Sequence, residues 1–147
     1  MIRLAPVFFF LFGCASGPPV DESSGDTFPA VWDFEIVDKE QTPLGSIRLR
    51  LTMEPVDEDY CGGSYFRKAK VLRDDLKIDL YKSLQPVWHV FARGLSIDLT
   101  ASTCNTNYLF IGSINPEEAS GYFNYAHPLG GEYIGRFTGT PLVQPKM

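Results

Sequence analysis

Apolar and polar residues alternate every second position along much of this chain. Trp32, Phe34 and Ile36 interleave with Asp33 and Glu35, and Ile47, Leu49, Leu51 and Met53 with Arg48, Arg50 and Thr52. The same pattern returns at Leu76, Ile78 and Leu80, and again at Leu95, Ile97 and Leu99. A period of 2 rather than 3.6 predicts strands of an antiparallel sheet with one face in the core and one in water. Softer runs predict further strands at Ser64–Leu72, Val87–Ala92, Tyr108–Ile114, Ser120–Ala126 and Glu132–Thr138. Turn signals such as Thr42-Pro43-Leu44-Gly45, Arg93-Gly94, Asn115-Pro116 and Leu129-Gly130-Gly131 separate the runs. The pattern predicts an all-β domain of about eight or nine short antiparallel strands, either an up-and-down barrel or a sandwich. Closure into a barrel removes sheet edges that would otherwise pair with other chains.

The first thirty residues follow different rules. Met1-Ile2-Arg3 carries a positive charge, Leu4 to Phe12 is apolar, and Gly13-Cys14-Ala15-Ser16 follows. Charge, short hydrophobic run and small residues make a secretory leader, too short for a bilayer span of about 20 apolar residues. Leu11-Phe12-Gly13-Cys14 resembles the bacterial lipobox, although Phe12 is bulkier than the residue usual there. The resemblance implies cleavage before Cys14, acylation of its thiol and lasting attachment to a membrane, since stable anchoring takes more than one acyl chain. Ala15 stands where Asp would hold an enteric lipoprotein at the inner membrane, so the resemblance implies the outer membrane of a bacterial envelope. Residues 15–28 are small, proline-containing and acidic, a composition that cannot offset ordering entropy and predicts a flexible tether. The expected organisation is therefore a leader (1–13), a lipidated cysteine and acidic tether (14–28), a β domain (29–142) and a short tail (143–147).

Charge narrows the partners. Lys and Arg number 13 against 18 Asp and Glu, a formal net charge of −5, which argues against nucleic acid and against docking on anionic lipid through the protein surface. With Cys14 used by lipid, Cys61 and Cys104 remain, and an even pair in an exported chain reads as one disulfide.

Enzyme signatures are absent from the sequence. His89 and His127 lie far apart without a zinc pattern, no Gly-x-Ser-x-Gly elbow occurs, and Gly62-Gly63-Ser64 lacks the lysine of a phosphate loop. The acidic run Glu54, Asp57, Glu58 and Asp59 does not match a calcium loop and reads as solvated. No catalytic residue, metal ligand or cofactor is expected. The aromatic residues are the remaining candidates. Trp88, Tyr108, Phe123 and Tyr125 are the candidates for lining a ligand cavity, although cross-strand pairing that stabilises the sheet is the favoured reading of such rings.

In outline the domain resembles the calycin barrels, lipocalins among them. Trp32 opens the first strand, Arg136 lies in the last, and glycines punctuate Ile111-Gly112-Ser113, Ala119-Ser120-Gly121-Tyr122-Phe123 and Gly135-Arg136-Phe137-Thr138-Gly139. Ala30 stands where a lipocalin has glycine, and no helix follows the last strand. The resemblance implies that the first and last strands pair and that the Arg136 guanidinium stacks on Trp32. Two functions are expected to compete. One is a non-enzymatic barrel that encloses a small apolar ligand. The other is an interaction or inhibitor module facing another envelope protein, as lysozyme-inhibitor lipoproteins do. A hollow interior favours the first, and a filled one with an exposed aromatic or acidic patch favours the second.

Overall fold

The structure, a computed structural model, describes residues 30–80, 83–101 and 105–142. The expected leader, the tether, Cys14, Cys104 and the tail lie outside these residues. Eight strands follow one another: β1 (Val31–Asp38), β2 (Pro43–Pro55), β3 (Arg67–Asp74), β4 (Val87–Phe91), β5 (Gly94–Asp98), β6 (Asn107–Ile114), β7 (Ala119–His127) and β8 (Gly130–Pro141). Each pairs antiparallel with its neighbours in the sequence, and β8 returns to β1, closing the barrel. The closing ladder runs from Trp32 opposite Pro141 to Asp38 opposite Gly135. Of the two architectures the periodicity allows, the barrel is the one formed.

Alternation decides what lies inside. Trp32, Phe34, Ile36, Ile47, Leu49, Ile97, Phe110, Phe123 and Phe137 are almost wholly removed from water. Their rings meet across the barrel axis. Phe110 stacks on Phe137 with centroids 4.6 Å apart, Phe34 lies 5.5 Å from Phe110, and Phe123 meets Phe110 edge-on at 5.4 Å. Full burial of such a side chain stabilises by roughly 1.5–3 kcal/mol, so this aromatic column is the main support of the fold. Gly112 and Gly121 face each other across β6 and β7, and a methyl group on either would strike the backbone of the facing strand. Gly45, at a φ of 112°, takes a left-handed conformation that a side chain would disfavour, next to the irregularity where β1 leaves β2.

One expected strand is not formed. The run Leu76, Ile78 and Leu80 lies between β3 and β4 without strand structure. Its alternation is nevertheless expressed, because Leu80 is buried and Leu76, Ile78 and Leu84 pack against the core. Asp75 and Lys77 donate their amides to Ser46 and Leu44 at 2.9 and 2.8 Å, which holds the segment to β2 on one side. Periodicity reports which side chains are buried, whereas a strand needs a ladder partner as well.

The ladder is uneven. β6 pairs with β7 from Asn107 opposite Ala126 to Ile114 opposite Ala119. β3 and β4 meet only where Arg67 faces Trp88 and Lys68 faces Val87. Beyond that point the Ala69 amide reaches the Pro86 carbonyl at 2.8 Å and the two segments part.

Candidate functional site

Among the described residues, the aromatic candidates for a cavity lining pack on one another and on the core. Phe123 is fully buried among other core rings, and Tyr108 is nearly so. Tyr108 stands opposite Tyr125 in the β6–β7 ladder, with ring centroids 4.8 Å apart and Phe123 at 6.0 Å. This is cross-strand aromatic pairing, the reading favoured from the sequence. Trp88, on β4 opposite Ile97, packs against the core, and its Nε1 donates to the Thr52 carbonyl at 2.8 Å.

A cavity of about 470 Å³ does exist, at the side of the barrel where β3 and β4 separate. Val56, Tyr60, Ala69, Pro86 and Val87 supply its apolar lining, with Asp57 and Lys68 at its polar part. None of the four candidate aromatics lines it. Lys68 donates to Asp57 at 2.9 Å and lies 3.6 Å from Glu54, so part of the acidic run is an ion-paired surface. The hydrogen bond to Asp57 is the main cause holding this ammonium above its ordinary pKa. Among the described residues no group of His, Cys, Asp or Glu side chains is placed to hold a metal ion.

Behind the cavity is a buried polar latch. Asp98 is buried, and its carboxylate accepts from the Thr100 amide at 2.9 Å, the Asn107 side-chain amide and the Tyr60 hydroxyl, the last at 3.4 Å. Thr100 in turn accepts from the Tyr108 amide at 3.0 Å. Burial, reinforced by the Asp98 carboxylate, pushes the Tyr60 phenol far above its ordinary pKa. A phenol that keeps its proton is a donor, and here it ties the β2–β3 loop to Asp98 on β5. Cys61, in the same loop, is disulfide-bonded. Its expected partner, Cys104, lies outside the described residues.

The histidines have structural surroundings. His89 faces outward from β4 against Tyr65 and Phe66, with centroids 4.7 and 5.5 Å away. Burial, then the charge of Arg67, lowers its pKa. His127 accepts at Nδ1 from the Leu129 amide at 3.3 Å in the β7–β8 turn.

The expected Trp32–Arg136 contact is not made. Trp32 points into the core opposite Leu49 and Pro141, whereas Arg136 is exposed on the outside of β8 opposite Val37 and Tyr122. The two side chains lie on opposite faces of the sheet, because a period of 2 separates even from odd positions and β1 and β8 are paired in this register. Arg136 instead lies over the Tyr122 ring, 5.9 Å from its centroid.

That correction exposes a feature of the outer wall. Ile111, Tyr122 and Arg136 face one another across β6, β7 and β8. Tyr133 meets Tyr122 edge-on at 5.9 Å, and Lys39 from the β1–β2 turn lies 6.0 Å from the Tyr133 centroid. Ile111, Tyr122 and Tyr133 remain 45%, 55% and 39% exposed on a sheet face that alternation would leave polar. Ser113, Ser120 and Thr138 border them, all exposed. The sequence carries one signal for this patch, since Tyr122 lies out of phase with Phe123. It carries none for Lys39, which reaches Tyr133 only because the barrel closes. No protein-family model, curated protein or solved structure matches the chain.

Proposed function

We propose that this chain is a lipid-anchored protein of the bacterial envelope, attached through Cys14 at the outer membrane. Its barrel is a non-enzymatic interaction module that presents the outer wall of β6, β7 and β8 to another protein. The observation that carries this reading is the filled interior: the aromatic column of Phe34, Phe110, Phe123 and Phe137 occupies the space in which a lipocalin-like cup would hold its ligand. An eight-stranded barrel has room inside for side chains or one small ligand, and here side chains take it. Tyrosine and arginine, held here on a rigid ladder, are residue types enriched at interface centres, and the Ser and Thr border is a polar rim.

A second reading, a small apolar ligand, draws on the 470 Å³ cavity beside β3 and β4, whose size falls in the usual ligand range. It places the ligand between Val56 and Val87 rather than inside the barrel. The closed eight-strand meander supports a lipocalin-like shape, whereas the unmade Trp32–Arg136 pair weakens a lipocalin relationship.

Two measurements test the proposal. Mass spectrometry of the mature N-terminus should find acylated Cys14, and an unmodified terminus elsewhere would remove the anchor. A photocrosslinker at position 122 of the full chain in cells should give one discrete adduct, and one at exposed Leu129 should not. Equal labelling from both positions, or none from position 122, would count against the outer wall.

A further inference from the structure

We infer that the outer wall of β6, β7 and β8 takes a protein segment in which a carboxylate lies beside an apolar or aromatic side chain, the carboxylate pairing with Arg136. The inference rests on the interaction reading above and names the chemistry of the partner.

Charge is the first argument. The chain is acidic overall, with a net charge of −5. Its outward Arg48, Arg73 and Lys68 are each paired with carboxylates. Arg136 and Lys39 share with Arg50, Arg67, Lys70, Lys77 and Arg93 the lack of an ion pair among the described residues, but these two alone among them are set over a tyrosine ring. Glu35, on the same outer face, stands one row away opposite Thr138 and does not pair with Arg136. Asp38, next to Lys39, is engaged by the amides of Glu40 and Thr42 at 2.8 Å. A guanidinium steadied by an aromatic ring and left without a counter-ion is a preset fork for a carboxylate.

Shape is the second argument. Tyr122 and Tyr133 are nearly perpendicular, at 77°, and each lies against a cation. They therefore form no flat pair of open rings on which a sugar or a base would stack. They form a cation-rimmed apolar step that suits a protein side chain, with Ile111 continuing it across β6.

The test uses the detergent-solubilised full chain and two peptide libraries, one carrying Glu beside Trp or Leu and a matched one with Lys in place of Glu. Selection should enrich the acidic library, and the selected peptide should lose at least about tenfold in affinity with Arg136→Glu, the scale of an interfacial charge pair broken and made repulsive. The Lys-swapped version of that peptide should regain binding to the Arg136→Glu protein. Tyr122→Ser should weaken both. All positions are exposed, so the melting temperature should stay unchanged and report that the barrel is intact. Binding lost with Tyr122→Ser but indifferent to Arg136→Glu would overturn the carboxylate assignment and leave the interaction face standing. Binding indifferent to both would overturn the inference together with the face.

Discussion

The wall formed by β6, β7, β8 and β1 and the seam between β3 and β4 are two different solutions to closing one barrel. In the wall each strand is laddered to the next, with Asn107 to Ile114 matched residue for residue on β7. At the seam only Arg67 and Lys68 find ladder partners, opposite Trp88 and Val87, with one further backbone bond from Ala69 to Pro86. The rest of the junction is held by side chains, by the Tyr60–Asp98 latch and by a loop carrying a disulfide-bonded cysteine. A stiff ladder loses little further freedom when something docks on it, whereas a region closed by loops is where opening is least costly. Tyr122 and Tyr133 lie on the stiff side, whereas Tyr65 and Phe91, also exposed, lie with the cavity on the loose one.

The largest effect is expected in the aromatic column behind the wall. Phe110→Ala should cost about 3–5 kcal/mol in urea unfolding, the range for removing a buried phenylalanine. Val87→Ala at the seam removes less volume and should cost clearly less. Equal losses would mean that the two regions are equally well packed.

Cys61→Ser should come next, at about 2–4 kcal/mol, as for other native disulfides. It sharpens the comparison through its location. Amides of the β2–β3 loop and of Ala69 should exchange faster with solvent, while those around Tyr122 keep their protection. Faster exchange throughout would show that the bridge holds the whole barrel and not the seam.

The smallest effect concerns the outer charges of β1 and β2. Arg48 forks onto Asp33 with contacts of 2.7 and 2.6 Å. The hydrogen bond from Arg48 is the main cause that lowers the Asp33 pKa from its ordinary 3.8. A carboxylate with a depressed folded-state pKa stabilises above its unfolded value and loses that contribution as pH falls through the folded value. Asp33→Asn should therefore cost about 1 kcal/mol or less at pH 6, given its partial exposure, and the cost should vanish once the pH has fallen below the depressed folded-state value. A cost that persists in acid would show that packing, not charge, is what the substitution removes.

Much of the fold was legible in the chain because a period of 2 is a direct consequence of burial on one face. Trp32-Asp33-Phe34-Glu35-Ile36 and Ile47-Arg48-Leu49-Arg50-Leu51 read as strands and are strands. Leu76-Lys77-Ile78-Asp79-Leu80 carries the same pattern and is not one, because backbone partnering is not encoded in hydropathy. Less of the candidate site was legible. Tyr108, Phe123 and Tyr125 do gather, but as a ladder and not as a lining. Arg136 was singled out for the wrong ring, since the register that sets it over Tyr122 depends on how β7, β8 and β1 slide past one another. Lys39 and Tyr133 are distant in sequence and meet only through closure.

The central claim is that this barrel acts through its outer wall and not through its interior. Chemical-shift mapping of the full chain with the selected Glu-containing peptide tests it most directly. Shifts centred on Ile111, Tyr122, Tyr133 and Arg136, with Trp32, Phe34 and Phe110 unmoved, are the predicted result. Shifts centred on those three core rings, with Tyr122 and Arg136 silent, would contradict it.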